Sequence, residues 1–321
     1  MCLQFSGADA PETPVYTGCG GSTSENTSSS VKLQTRLDLN AGKLNGPYLQ
    51  SGSEYDRNSC LLKESLPEGS LWITDLGYFS LKEFAEHNAN GKYWLSKVNS
   101  QCDLYDKDGE RWDLVGFLEE HCAEEMDTEV YLGVNQKLPC RLLAIRVSDK
   151  VAEVRRGKLK AEAKAKGKQV SEKLLRLSSW LVLCTNVPGD MLQLKEALVL
   201  MKSRQIELLF KLWKDVGHID EWRSKKPWRI LCEVYAKLMV VIIQHWILLC
   251  GCWYRPERSM HKASKTIRKH ATHLAIAFAS RSKAQLKEAL KIIQRCLAVG
   301  SGISKRKAKP STYQLLLQLD A

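Results

Sequence analysis

The chain has 321 residues, of which 44% are hydrophobic and 26% charged, so a substantial core is possible and wholesale disorder is excluded. That length fits one large domain or two ordinary ones. The formal charge of +12 points toward a polyanionic partner rather than an acidic small molecule. It is unevenly spread: residues 1–150 carry 23 acids and 14 bases, residues 151–321 carry 13 acids and 34 bases. The first half is suited to attract metal cations, the second to meet phosphates. The 11 cysteines form no CxxC pair, and Cys184, Cys232 and Cys250 sit in apolar runs, which reads as reduced, buried thiols in a cytosolic protein. The seven scattered histidines give no ligand spacing for structural zinc.

Met1–Ala10 lacks the basic start and apolar run of a secretory signal. Gly18–Ser30 is a glycine- and serine-rich loop. Val31–Leu39 alternates apolar and polar residues, as a half-buried strand does, and Asn40-Ala41-Gly42 turns it into a hairpin with Lys43–Leu49. A short helix is expected over Glu54–Leu66. Ser70–Thr74 reads as a strand that stops at Asp75. Gly77 breaks the pattern, and Ser80 with Glu83 makes a capping box that starts a helix running to about His87. Strand, acid, glycine turn and helix place Asp75 at the C-terminal edge of a sheet, where α/β folds keep their chemistry.

Tyr93–Val98, Gln101–Tyr105, Glu129–Val134 and Leu142–Val147 read as further strands, with Asp108-Gly109 as a hairpin turn. Val151–Arg176 is basic and rich in Ala and Lys. Its Lys158–Lys168 portion reads either as a solvated helix or linker, or as an arm that binds a phosphate backbone. Ser179–Val187 is one more apolar strand. After Pro188 the pattern is helical, over about Met191–Lys214, Trp228–Gly251, Arg258–Ala279 and Lys283–Ala298. Leu238–Trp253, with Gln244 and His245 inside it, falls short of the ~20 apolar residues a membrane span needs and is expected to be a buried core helix. Strands separated by helices, followed by an all-helical region, indicate an α/β core with an added helical domain.

Arg204–Lys214 carries the sharpest pattern. On a helix, Ile206, Leu209, Phe210 and Trp213 share one face, while Arg204, Glu207, Lys211 and Lys214 share the opposite one. This is compatible with an ordinary amphipathic helix whose Glu207 pairs with Lys211. It is also compatible with a metal-dependent site: two-metal phosphoryl transfer holds two Mg²⁺ about 3.5–4 Å apart between carboxylates, and Mg²⁺ needs few protein ligands. Asp75 and Glu207 could supply two of them. Arg223, Lys225, Lys226 and Arg229, interleaved with Trp222 and Trp228, suit DNA contact at a helix start, or a helix start pinned by Trp packing. Lys305, Arg306, Lys307 and Lys309 form a basic tail.

The stretches ITDLGYFSLKEF around Asp75 and RQIELLFKLWK around Glu207 resemble the DDE transposases of bacterial insertion sequences, in particular the large fourth insertion-sequence family. The GCGG of Gly18–Gly21, KLQTRLDL, KPWRILCEVYAKL and the closing TYQLLL agree with that group in order. The resemblance implies an α/β, ribonuclease H-like mixed sheet flanked by helices, with a β-rich insertion and a helical C-terminal region. By it, residues 1–98 begin the catalytic domain, 99–178 are the insertion, 179–216 return with the Glu-bearing helix, and 217–321 are the C-terminal helices. It further implies a DNA transposase that uses Mg²⁺ (or Mn²⁺) for phosphodiester hydrolysis and strand transfer, with Asp75 and Glu207 as metal ligands and Lys214 beside them. Arg204, Lys211, Arg223, Lys225, Lys226 and Arg229 would hold DNA. The implied partners are double-stranded insertion-sequence ends and target, with a homodimer in synapsis and no membrane, in a nucleoid-associated bacterial cytoplasmic protein.

Two departures accompany the resemblance. The family's first Asp lies in an Asp-Ser-Thr-like strand shortly before the glycine-rich loop, and CLQFSGADAPETP has no such pair. Asp9 is the nearest acid, in a loop beside Pro11. In the family's Tyr-x2-Arg-x3-Glu-x6-Lys signature, Leu200 and Ser203 stand at the Tyr and Arg positions, so only Glu207 and Lys214 match. The expectation is a truncated, diverged member that is weak or dead in cutting DNA, or else a DNA-binding remnant able to inhibit intact transposase.

Overall fold

A computed structural model describes residues 2–5, 29–52, 54–165, 167–203, 205–224, 226–255 and 257–304. The chain divides into two compact units, one from residues 64–203 and one from 1–63 together with 204–321.

The unit of residues 64–203 is built on one mixed sheet. Strand β4 (Leu71–Thr74), helix α1 (Leu81–Ala89) and strand β5 (Tyr93–Lys97) form a parallel crossover. Strands β6 (Leu104–Tyr105) and β7 (Arg111–Trp112) make the short hairpin whose turn contains Gly109 at φ +86. Helix α2 (Leu114–His121) leads to β8 (Glu125–Leu132) and β9 (Leu138–Arg146). Helices α3 (Asp149–Ala165) and α4 (Glu172–Leu177) precede β10 (Trp180–Thr185), and α5 (Leu194–Ser203) closes the unit. The strand order is β4-β5-β10-β9-β8-β6-β7, parallel at β4–β5 and antiparallel elsewhere. Strands β8 and β9, from within residues 99–178, therefore continue the sheet of β5 and β10.

Alternation along the central strands fills both faces, as a sheet sandwiched between helices requires. Trp94, Leu142, Val182 and Cys184 enter one core with Phe84 of α1 and Leu114 and Leu118 of α2. Leu95, Leu143 and Leu183 enter the other with Ala197, Leu198 and Met201 of α5. Phe84 stacks on Trp94 at 4.2 Å between ring centroids.

The second unit begins with a three-stranded antiparallel sheet, β1 (Cys2–Phe5), β2 (Ser29–Leu37) and β3 (Leu44–Ser51), in that order. Among the described residues the α-helices that follow are α6 (Gln205–Asp215), α7 (Pro227–Leu248), α8 (Met260–Lys269), α9 (Ala271–Ala279) and α10 (Lys283–Gly300). Leu33, Leu44 and Leu49 of the hairpin pack on Leu209 and Trp213 of α6 and on Ile230, Val234 and Leu238 of α7. A second core joins Leu212 of α6, Leu248 of α7 and the inner faces of α8–α10. The hairpin turn needs glycine: Gly42 has φ +68, and an added Cβ would lie 2.7 Å from the Trp253 ring.

Several expectations are corrected. Residues 54–66 hold two 3₁₀ turns, Asp56–Asn58 and Cys60–Lys63, in place of a helix. The helix expected over 191–214 is two helices, because the chain passes from one unit to the other between Ser203 and Arg204 and each piece turns its apolar side to a different core. The helix expected over 258–279 likewise divides at His270. Strand β1 and helix α2 were not foreseen. The apolar helix is longer than the 16-residue run suggests: α7 continues through a π-helical turn, Leu249–Trp253, and the stretch Trp228–Trp253 is, by length and composition, long enough to cross a membrane. It is not simply buried. Val234, Leu238 and Val241 are enclosed, while Trp228, Tyr235, Met239 and Trp246 are exposed. Cys184 is buried as expected, but Cys232 and Cys250 lie exposed.

Candidate functional site

Asp75 stands where the sequence placed it, directly after β4, the first strand in the sheet order. Its backbone is extended (φ −88, ψ 167), and it caps a 3₁₀ turn, Leu76–Tyr78, without a side-chain capping bond. Ser80 caps α1 by accepting a hydrogen bond from the Glu83 amide, which fixes the chain immediately beyond the site.

The side chain of Asp75 is not left to solvent alone. Lys97 Nζ donates to its Oδ1 at 2.8 Å. The parallel register explains this pair: Thr74 lies opposite Ser96, so the next residues of both strands, Asp75 and Lys97, emerge together at one sheet end. Lys97 was not singled out in the sequence. The two strands are joined through α1, and a parallel pair joined by such a crossover brings like ends together.

Glu207 lies in the other unit, on the exposed face of α6. The helical face read from sequence is reproduced: Leu209 and Trp213 are buried, Ile206 and Phe210 pack against the same core, and Glu207 and Lys211 are exposed. Lys214 is half-buried and pairs with Asp220 at 3.8 Å, so its charge is already partly answered within the protein. Arg204, Lys225 and Asp9 lie outside the described residues.

Arg223, Lys226 and Arg229 are exposed around the start of α7, where Lys226 is the N-cap and Pro227 the first helical residue. The two tryptophans beside them divide the two readings between them. Trp222 packs against the core of its unit, and Trp228 is 58% exposed. Glu233 on the first turns of α7 accepts from the Arg223 amide at 3.1 Å. Next to this segment His218, in the left-handed region at φ +48, is held between Glu221 at 2.8 Å and Arg268 at 2.9 Å. Glu221 is held below the usual carboxylate range, chiefly by that hydrogen bond from His218.

A two-metal centre needs converging carboxylates. Among the described residues no three His, Cys, Asp or Glu side chains converge as a metal-holding group. Asp75 is engaged by an ammonium group, and strand β1, the only strand before the glycine-rich segment among the described residues, reads CLQF without an acid. The described residues do not by themselves fit a pair of metal ions.

Comparison with known proteins gives the context. The chain is 28% identical over 251 residues to the transposase for insertion sequence element IS231B of Bacillus thuringiensis subsp. berliner, covering 71% of this chain and 52% of that protein. It is 24% identical over 253 residues to the transposase for insertion sequence element IS1151 of Clostridium perfringens, covering 73% and 53%. A shorter similarity, 29% over 144 residues, is to the putative transposase InsL for insertion sequence element IS186A of Escherichia coli strain K12, covering 42% and 39%. The chain thus spans about half the length of the first two relatives. Residues 10–243 match the transposase DDE domain, an α/β domain consistent with the mixed sheet and flanking helices described above, and the chain belongs to that family.

Proposed function

We propose that this chain acts on duplex DNA as an insertion-sequence transposase whose metal-dependent cutting and joining is impaired. The observation that carries the impairment is strand β1: among the described residues it is the strand that precedes the glycine-rich segment, it pairs with β2, and none of its residues is a carboxylate. In a DDE reaction the first strand supplies one of three acids, and two acids hold two divalent ions poorly. The engagement of Asp75 by Lys97 supports the same reading, because a cation approaching Asp75 competes with an ammonium group at 2.8 Å. In this reading Asp75 and Glu207 remain the ligands for Mg²⁺ or Mn²⁺, and residues 99–178 are the family's insertion. Lys211, Arg223, Lys226 and Arg229 lie against the phosphate backbone of element ends and target. Work on a bacterial nucleoid as a homodimer in synapsis follows from the same family reading.

The test is nicking of duplexes carrying the ends of the chain's own element, with Mg²⁺ and with Mn²⁺. Cleavage is expected to be weak or absent. Robust cleavage that Asp75→Ala and Glu207→Ala each abolish would overturn the impairment. The Lys97 contact also favours a second reading, a binding-only protein that competes with intact transposase. Such a protein shifts end DNA equally well with Mg²⁺ and with chelator.

A further inference from the structure

We propose that the basic faces of helices α8 and α10 bind the phosphate backbone of duplex DNA. The segment lies beyond residue 243, where the family match ends, so the match gives it no role. Residues 259–304 hold nine Lys and Arg side chains and a single acid, Glu288.

Each of the helices α8–α10 sends apolar side chains into one core, while Ile276 and Phe278 of α9 stay exposed. Ala263 and Ile267 of α8, Leu274 and Ala277 of α9, and Ala289, Ile293 and Leu297 of α10 share one core. The helical Lys and Arg lie on α8 and α10; α9 carries none. On α10, Lys283, Lys287, Lys291 and Arg295 follow one another at intervals of four and all four are exposed; Lys283 flanks the side of Ala289, Ile293 and Leu297, and the other three turn away from it. On α8, Lys262, Lys265 and Lys269 lie within roughly 60° of one another, away from Ala263 and Ile267, and are exposed as well. Arg268 is set apart from them, drawn to His218 at 2.9 Å.

The α10 row is unfavourable for the isolated protein. Like charges four apart on a helix repel. Lys283, the first helical residue, opposes the helix dipole, and no acid stands in the first turn to offset it. Among the described residues the counter-charge to this row is an exposed, long pair, Lys291 with Glu288 at 3.9 Å, of the kind that contributes little. Surfaces that serve solubility alone mix the two signs. A polyanion relieves the repulsion. Each step of the row rises about 6 Å and the whole row about 18 Å. Duplex DNA presents a phosphate about every 3.4 Å of axis on each strand, so every step can meet one. Contacts of this type fix position without reading bases, and the surface is therefore indifferent to sequence. The inference shares with the proposed function only the identity of the substrate.

The test uses the full chain, a mixed-sequence duplex and chelator in place of metal, with affinity measured over a salt series. Removing four phosphate contacts with Lys283→Gln, Lys287→Gln, Lys291→Gln and Arg295→Gln should make the slope of log affinity against log salt shallower by about 3 to 4, with affinity at least about tenfold weaker. An equal charge loss scattered over the other unit, Lys82→Gln, Lys107→Gln, Lys150→Gln and Lys195→Gln, should change the slope by less than about 1. Should the four-site variant lose its circular dichroism, Lys265→Gln with Lys269→Gln on α8 takes its place, with an expected change of about 2. Variants indistinguishable from the scattered control overturn the inference while leaving the proposed function standing. Displacement of the DNA by phosphatidylserine vesicles at equal salt, or tighter binding of single-stranded RNA, overturns it in favour of another partner. A wild-type chain that binds no duplex at all sinks both readings.

Discussion

His245 on α7 is 1% exposed, and its imidazole Nε2 lies 2.7 Å from the carbonyl of Gly42. A carbonyl only accepts, so Nε2 carries the proton, and the buried Nδ1 has no partner among the described residues. Burial holds the imidazole below its ordinary value of 6.5, with the Gly42 bond opposing. His87, stacked on Trp72 at 4.9 Å, is lowered for the same first reason. As pH falls through about 6.5 the unfolded chain takes up protons that the folded chain refuses. Stability is therefore greatest at neutral pH and declines below about 6.5. The urea midpoint is expected to fall between pH 7 and pH 5.5, and His245→Gln should flatten that decline while costing about 1–3 kcal/mol at pH 7. A variant whose midpoint keeps the wild-type pH slope would show that His245 is not responsible. Nothing in the local sequence marked this residue, since its partner is 203 positions away.

Helix α2 shows how an element can be written locally and still be overlooked. Asp113 accepts from the Gly116 amide at 3.0 Å and so caps the helix. That bond, with Lys173 at 3.4 Å assisting, holds the carboxyl below its usual 3.8. The helix has eight residues, contains Gly116, and stands among strands, so its period is too short to assert itself against the surrounding alternation. Asp113→Ala should cost about 1 kcal/mol at pH 7. The stabilisation is present above 3.8 and is lost as pH falls through the lower folded value, so the deficit should shrink in strong acid. Chemical denaturation of the two proteins at neutral and acid pH measures both; a deficit that does not change with pH would contradict the role of the charged cap. The helices α5 and α6 show the converse. Their residues are helical as read, but no Gly or Pro marks the break between them, because the break comes from two cores claiming two apolar sides.

The division into two units carries a prediction for the whole molecule. Every member of the two cores around the seven-stranded sheet lies within residues 64–203, and so does every strand of that sheet. The segment Glu64–Ser203 should accordingly fold alone, with a cooperative thermal transition and near-ultraviolet dichroism from Trp94 stacked on Phe84. A fragment with secondary structure but no cooperative transition would show that the remainder of the chain is needed. The other unit draws on both chain segments, its hairpin meeting α6 and α7 across more than 150 residues, so neither segment is expected to fold alone.

Taken alone, the order of residues determined what depends on neighbours. The β2–β3 hairpin with its glycine turn, the Ser80 cap, the strand ending at Asp75 and the two faces of α6 all follow from periodicities and caps spanning a few residues. The tertiary structure decided what depends on distance. It set Lys97 beside Asp75 through strand register. It enclosed His245 under a turn from the other end of the chain, and left one side of a 26-residue apolar helix exposed. Pairing partners and burial are set by where remote segments return, and a local pattern carries no record of that return.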